Sequence, residues 1–126
     1  MAFRYRVRTK RSGIGEKTAK YYAVPIRSGE ITTRQLAKDL SKISSLSEGD
    51  VHSALIGLSG LVEKYLQEGY SVRLDNLGLF SISATSDGFD TPEACTPHRV
   101  KANKICFRAE NDLKSNLKYV RFEREK

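Results

Sequence analysis

The residues able to do chemistry here are mostly cations. Arg4, Arg6 and Arg8 recur at every second position and run on into Lys10 and Arg11, while Arg73, Arg99, Lys101, Lys104 and Arg108 sit in or beside later alternating runs. Alternation at period two sends successive side chains to opposite faces of a strand. Arg4, Arg6 and Arg8 therefore form a charged stripe of the kind that contacts phosphates, although a solvated strand face has the same pattern. Clustering weighs against the second explanation. Residues 1–27 hold eight basic residues against one acidic, a net of +7, whereas residues 28–99 carry −4 and residues 100–126 carry +4. The whole chain of 126 residues has a net charge of +7, which favours a partner bearing negative charge.

Other chemistries lack their residues. His52 has no carboxylate or nucleophile at a useful spacing, so it reads as a helix-surface histidine and the chain as no enzyme. Cys95 and Cys106 make no ligand spacing with His52 and His98, which implies reduced thiols in a cytoplasmic protein and no metal. The stretch Ser12-Gly13-Ile14-Gly15-Glu16-Lys17-Thr18 has the glycines and lysine of a phosphate cradle. It lacks the glycine directly before the lysine, and Glu16 would repel the phosphates. No cofactor and no small-molecule substrate is expected. The chain opens Met1-Ala2-Phe3-Arg4-Tyr5-Arg6 without the apolar run of a secretory leader, and no stretch is long and apolar enough to span a membrane.

The elements that must position the cations follow from periodicity. Phe3, Tyr5 and Val7 oppose Arg4, Arg6 and Arg8 on a first strand, and Tyr21 to Ile26 forms a second, placed at a sheet edge by Pro25. Helical spacing begins after Ile31, with Thr32 as N-cap, Gln35 closing a capping box, and Leu36, Ala37, Leu40 and Ile43 along one face. Ser47 caps a longer helix whose apolar positions, Val51, Ala54, Leu55, Leu58, Leu61, Val62, Tyr65 and Leu66, cover more than one partner helix needs. That width predicts a dimer, with Tyr65 and Phe80 in the core. Gly69 ends the helix, and Val72 to Leu74 and Phe80 to Ala84 flank a tight turn at Asp75 to Gly78. A polar stretch follows to His98, then a strand at Val100 to Arg108. A short helix at Glu110 to Lys118 comes next, and an alternating tail, Tyr119 to Glu123, that can pair with the N-terminal strands.

This order resembles the HU/IHF family of bacterial histone-like DNA-binding proteins. The resemblance spans Ile31 to Lys118 and rests on Leu36, Leu40, the Leu46-Ser47 entry, the Leu66 to Gly69 helix end, the block Val72, Leu74, Leu77, Gly78 and Phe80, and Phe107 followed by Leu113-Lys114. It implies an α+β fold: a two-helix base, a three-stranded antiparallel sheet with a projecting β-arm, and a short C-terminal helix. To this the chain adds an N-terminal β-hairpin and a C-terminal strand. The domain reading is a basic extension over residues 1–30 and an HU-like domain over residues 31–126, with the arm at 85–99 and the tail at 119–126.

The resemblance also implies a homodimer in the cytoplasm, associated with the nucleoid and condensing duplex DNA, with Pro92 nearest the position of the family's wedge proline. Pro92 also reads as a rigid loop turn. The arm here is Ser86-Asp87-Gly88-Phe89-Asp90-Thr91-Pro92-Glu93, acidic where the family's arm is rich in Arg and Lys. Two functions are therefore expected. The first is an architectural DNA-binding protein contacting backbone and shape through Arg4, Arg6, Arg8, Lys10, Arg11, Arg73, Arg99, Lys101, Lys104 and Arg108. The alternative is a protein-interaction or structural module on the same dimer scaffold that has lost arm-mediated bending.

Overall fold

A computed structural model describes residues 2–10 and 19–125. Its elements run β1 (Phe3–Lys10), β2 (Lys20–Ile26), α1 (Thr33–Lys42), α2 (Glu48–Gln67), β3 (Val72–Leu74) and β4 (Gly78–Thr85). Two single 3-10 turns (Pro92–Ala94 and Pro97–Arg99) follow, then β5 (Lys101–Ala109), α3 (Asn111–Ser115), a further 3-10 turn (Asn116–Tyr119) and β6 (Phe122–Arg124). They group into two units, Met1–Ile31 with Asn116–Lys126, and Thr32–Ser115. No helix among the described residues is long and apolar enough to cross a membrane.

The first unit is a sheet of order β2-β1-β6. β1 and β2 are antiparallel, and β6 lies parallel to β1, so the tail that chain order attaches to the helices belongs by contact to the N-terminal strands. Phe3 and Phe122, opposite one another in the ladder, stack at 5.6 Å between ring centroids. Pro25 lies on β2, whose outer edge pairs with nothing among the described residues; the missing N–H therefore need not break a ladder there.

In the second unit both helix entries are capped as the sequence predicts. Thr32 Oγ1 accepts from the Gln35 N–H at 3.3 Å, and Ser47 Oγ accepts from the Asp50 N–H at 3.1 Å. Just past the end of α2 stands Gly69, whose φ of 93° is a left-handed conformation that glycine adopts without a Cβ clash. The chain then turns through Asp75, Asn76 and Leu77, with Asn76 at φ 68° and the Leu77 N–H donating to the Leu74 carbonyl at 3.0 Å. The resulting sheet, order β3-β4-β5, is antiparallel throughout.

Its apolar face meets α2, where Ser59, Val62 and Leu66 flank a groove closed by Phe80, Ile82 and Ile105. Phe80 and Phe107 lie 4.8 Å apart between ring centroids. Among the described residues the buried apolar side chains are few: Ala37, Val51 and Leu66. Leu61 remains 52% exposed and Tyr65 42%, so Tyr65 is not the core residue that its helical position predicts. Of the rest of the α2 stripe, Leu55 and Val62 are half-buried and Ala54, Leu58, Leu61 and Tyr65 stay exposed.

Candidate nucleic-acid interface

The register of the second sheet sorts its side chains by face. Arg73 stands opposite Leu79 and Leu79 opposite Arg108; Ser81 faces Cys106, and Ser83 faces Lys104. Residues opposite one another in a ladder share a face. A bulge follows between Ser83 and Ala84, after which Thr85 pairs with Lys101. Arg73, Arg108, Lys104 and Lys101 therefore line the side of the sheet turned away from Phe80, Ile82 and α2. None of the strand residues on that face is acidic.

Arg73 of this set is engaged, and so is Arg99 just before β5. Arg73 forms an ion pair with Glu110, whose own N–H is anchored to the Leu77 carbonyl at 2.9 Å. The Arg73 side chain is more than half exposed, so the pair contributes little to stability. The Arg99 guanidinium lies over the Phe89 ring at 5.3 Å, tying the second 3-10 turn back to the loop that precedes it. Lys101, Lys104 and Arg108 form no ion pair among the described residues. Lys114 joins Arg73 and Arg108 around an open notch at the start of α3. Nothing in the spacing of residues 110–118 distinguishes Lys114 as a site residue, because its place beside Arg73 and Arg108 arises only when the strands pair.

The N-terminal cations lie in the other unit. Arg4, Arg6, Arg8 and Lys10 share one face of β1, as the alternation predicts, and Arg11 lies outside the described residues, as does the segment 12–18. Glu125 compensates part of this stripe, lying 3.6 Å from Arg4 and 3.3 Å from Arg6. Arg6 Nε is screened from solvent and makes no hydrogen bond. Arg8 and Lys10 have no such acidic partner among the described residues.

The expected arm differs from a projecting β-ribbon. The ladder between β4 and β5 stops at Thr85 and Lys101, and residues 86–100 contain two 3-10 turns in place of strand. Pro92 and Pro97 each open one of these turns. Proline has no N–H to give to a ladder, and its fixed φ suits the first position of a turn, so a ribbon through this stretch would lose donors at both. Pro92 is exposed, as are Asp87, Asp90 and Glu93. Among the described residues no group of His, Cys, Asp and Glu is placed to hold a metal ion.

A solved structure from Bacteroides vulgatus ATCC 8482, described as a "Putative bacterial DNA binding protein", aligns with a TM-score of 0.65 at 10% identity, over 97% of this chain and 48% of that one. The chain thus spans about half the length of that protein, and the likeness is one of fold. No curated protein matches. Residues 1–124 match the family HU-HIG, described as "HU domain fused to wHTH, Ig, or Glycine-rich motif". With nearly its whole length matched and an α+β fold in agreement, the chain belongs to the HU-HIG family.

Proposed function

We propose that this chain is a non-catalytic DNA-binding module that grips duplex DNA through its phosphates and shape, as a homodimer. The observation that carries the reading is the row Arg73, Arg108, Lys104 and Lys101 on the sheet face opposite the helices, with no acid on the strands of that face. Phosphate contacts fix register on a duplex without reading sequence, and a flat, evenly charged strand face offers no protruding element for base edges. Arg99 stands at the end of the row. Arg4, Arg6, Arg8, Lys10 and Arg11 add phosphate contacts from the N-terminal extension. HU domains and the described role of the Bacteroides vulgatus protein agree with DNA as the partner.

What the fold leaves bare supports the dimer. Among the described residues the buried apolar side chains are only Ala37, Val51 and Leu66. Apolar helix surface left in water is stabilised by being covered, so a second apolar surface would stabilise the helical base. The exposed part of the α2 stripe, Leu58, Leu61 and Tyr65, is where a second copy would supply it.

One observation favours the alternative of a protein-interaction module: residues 86–100 expose Asp87, Asp90 and Glu93 and form no ribbon to follow a groove. Fluorescence anisotropy with a labelled duplex across a salt series separates the two. Binding at low salt that weakens steeply as salt rises supports the DNA reading. Absence of binding at low salt, or affinity indifferent to salt, refutes it and leaves the protein-interaction module.

A further inference from the structure

The N-terminal sheet sets an exposed aromatic side chain among cations, and duplex backbone binding has no use for the ring. Lys10 and Lys20 stand directly opposite one another in the β1–β2 ladder, and the next row on the same face pairs Arg8 with Tyr22. Like charges directly opposite destabilise a ladder unless something else compensates them. Glu125 compensates only the other end of the face, at Arg4 and Arg6, and no ion pair among the described residues reaches Arg8, Lys10 or Lys20. Beside these cations the Tyr22 ring is 46% exposed.

From this arrangement we infer that the Lys10–Lys20 end of the N-terminal sheet seats single-stranded nucleic acid, with Tyr22 stacking on one base and Arg8, Lys10 and Lys20 taking the flanking phosphates. Charge selects a polyanion, and the ring selects among polyanions. In a duplex each base is already stacked and paired, whereas an unpaired base offers its face to an aromatic side chain. Side chains two residues apart on a strand are separated by about 6.8 Å, so Arg8 and Lys10 can reach successive phosphates along an extended strand rather than converge on one. Arg8 and Lys10 are shared with the cations assigned to duplex phosphates, whereas Tyr22 and Lys20 are not, so the readouts that separate single strand from duplex rest on Tyr22.

The test uses the full chain and three labelled probes of equal length: a thymidine oligonucleotide, a uridine oligonucleotide and a duplex. Tyr22→Ala is expected to weaken single-strand binding by between about 5-fold and 150-fold, the range for loss of one base–aromatic stack, and to leave duplex affinity unchanged. Tyr22→Phe should retain single-strand binding, because stacking needs the ring and not the hydroxyl. Lys10→Ala with Lys20→Ala should flatten the single-strand salt slope by up to about 1.4, at about 0.7 per phosphate. To keep folding out of the result, Tyr22→Trp should bind and lose indole emission as thymidine oligonucleotide is added; the chain has no other tryptophan to obscure the signal. Indole emission that stays constant through that titration, or equal losses on single strand and duplex in Tyr22→Ala, overturns the inference; so does failure to bind either single strand. Retained single-strand binding with no duplex binding supports it while refuting the duplex reading.

Discussion

Replacing Lys101, Lys104 and Arg108 together by alanine is the most demanding test of the duplex reading. These three share the helix-distal face of the β3-β4-β5 sheet and make no ion pair among the described residues, so each is available to a phosphate. Each phosphate neutralised on B-DNA contributes about −0.9 to the slope of log affinity against log salt. Three contacts per chain amount to about −2.7, and the six of a homodimer to about −5.4. Between about 50 and 200 mM salt, affinity of the parent dimer should therefore fall roughly a thousandfold more than that of the variant. The assay is duplex anisotropy over that salt range, with circular dichroism to verify folding. Changing the helix lysines Lys38, Lys42 and Lys64 to alanine removes the same charge from another part of the same unit. That control should leave the slope nearly untouched. If both triple variants flatten it equally, the sheet face is not the contact surface and only net charge matters. If neither does, the face is a solvated one. Glu110→Gln provides a check of opposite sign, since freeing Arg73 from its ion pair should steepen the slope by up to about 0.9 per chain.

Three further outcomes are expected. Gly78→Ala would drive a Cβ into the Arg108 carbonyl oxygen and to 2.6 Å from Phe107 ring carbons, so urea unfolding should show a loss at or above the upper end of the range of about 1–3 kcal/mol for overpacking. Stability equal to the parent's would show that the three strands are not held that closely. The thermal midpoint should rise with protein concentration, as it does when association and folding are coupled; a midpoint indifferent to concentration refutes the obligate dimer. Pro92→Ala should bend a duplex to the same angle as the parent in a fluorescence-transfer bending assay, because Pro92 opens a 3-10 turn and does not cap a ribbon. A smaller angle in the variant would restore the wedge role.

Local chemistry made the scaffold legible. Thr32 and Ser47 announce helix starts because their oxygens can accept from a free N–H three residues on, and both do. The reciprocal half of the Thr32 capping box is absent: the Gln35 side-chain amide donates to Asp39 Oδ1 at 3.0 Å, one helical turn onward. That competition is invisible to a rule that reads only positions 32 and 35. Alternation placed the arginines of β1 on one face, but it could not show Glu125 beside Arg4 and Arg6. That contact depends on a parallel pairing between chain ends, and nothing local specifies which strand β6 joins. Tyr65 misled for a related reason. An apolar helical position predicts burial somewhere, and the sequence does not say whether the burying surface belongs to the same chain.

The arm and the sheet face show why fold and activity separate in this chain. The turn at Asp75 to Leu77 sets the register of β3 against β4, and Asn76 supplies the positive φ it requires. A slip of one residue between those strands would carry Arg73 to the helix side and Val72 to the outside, because strand side chains alternate. Gly78 fixes the same point from the other direction, being opposite both Leu74 and Ala109 with no room for a Cβ. The residues by which the scaffold is recognised thus also hold Arg73 and Arg108 on one face. They act only as far as the ladder extends. Beyond Thr85 and Lys101 no register is imposed, and the chain is free to carry Asp87, Asp90 and Glu93 without disturbing the sheet. The charged sheet face therefore does not depend on residues 86–100 forming a ribbon, since it is held by the turn at Asn76 and the close approach at Gly78.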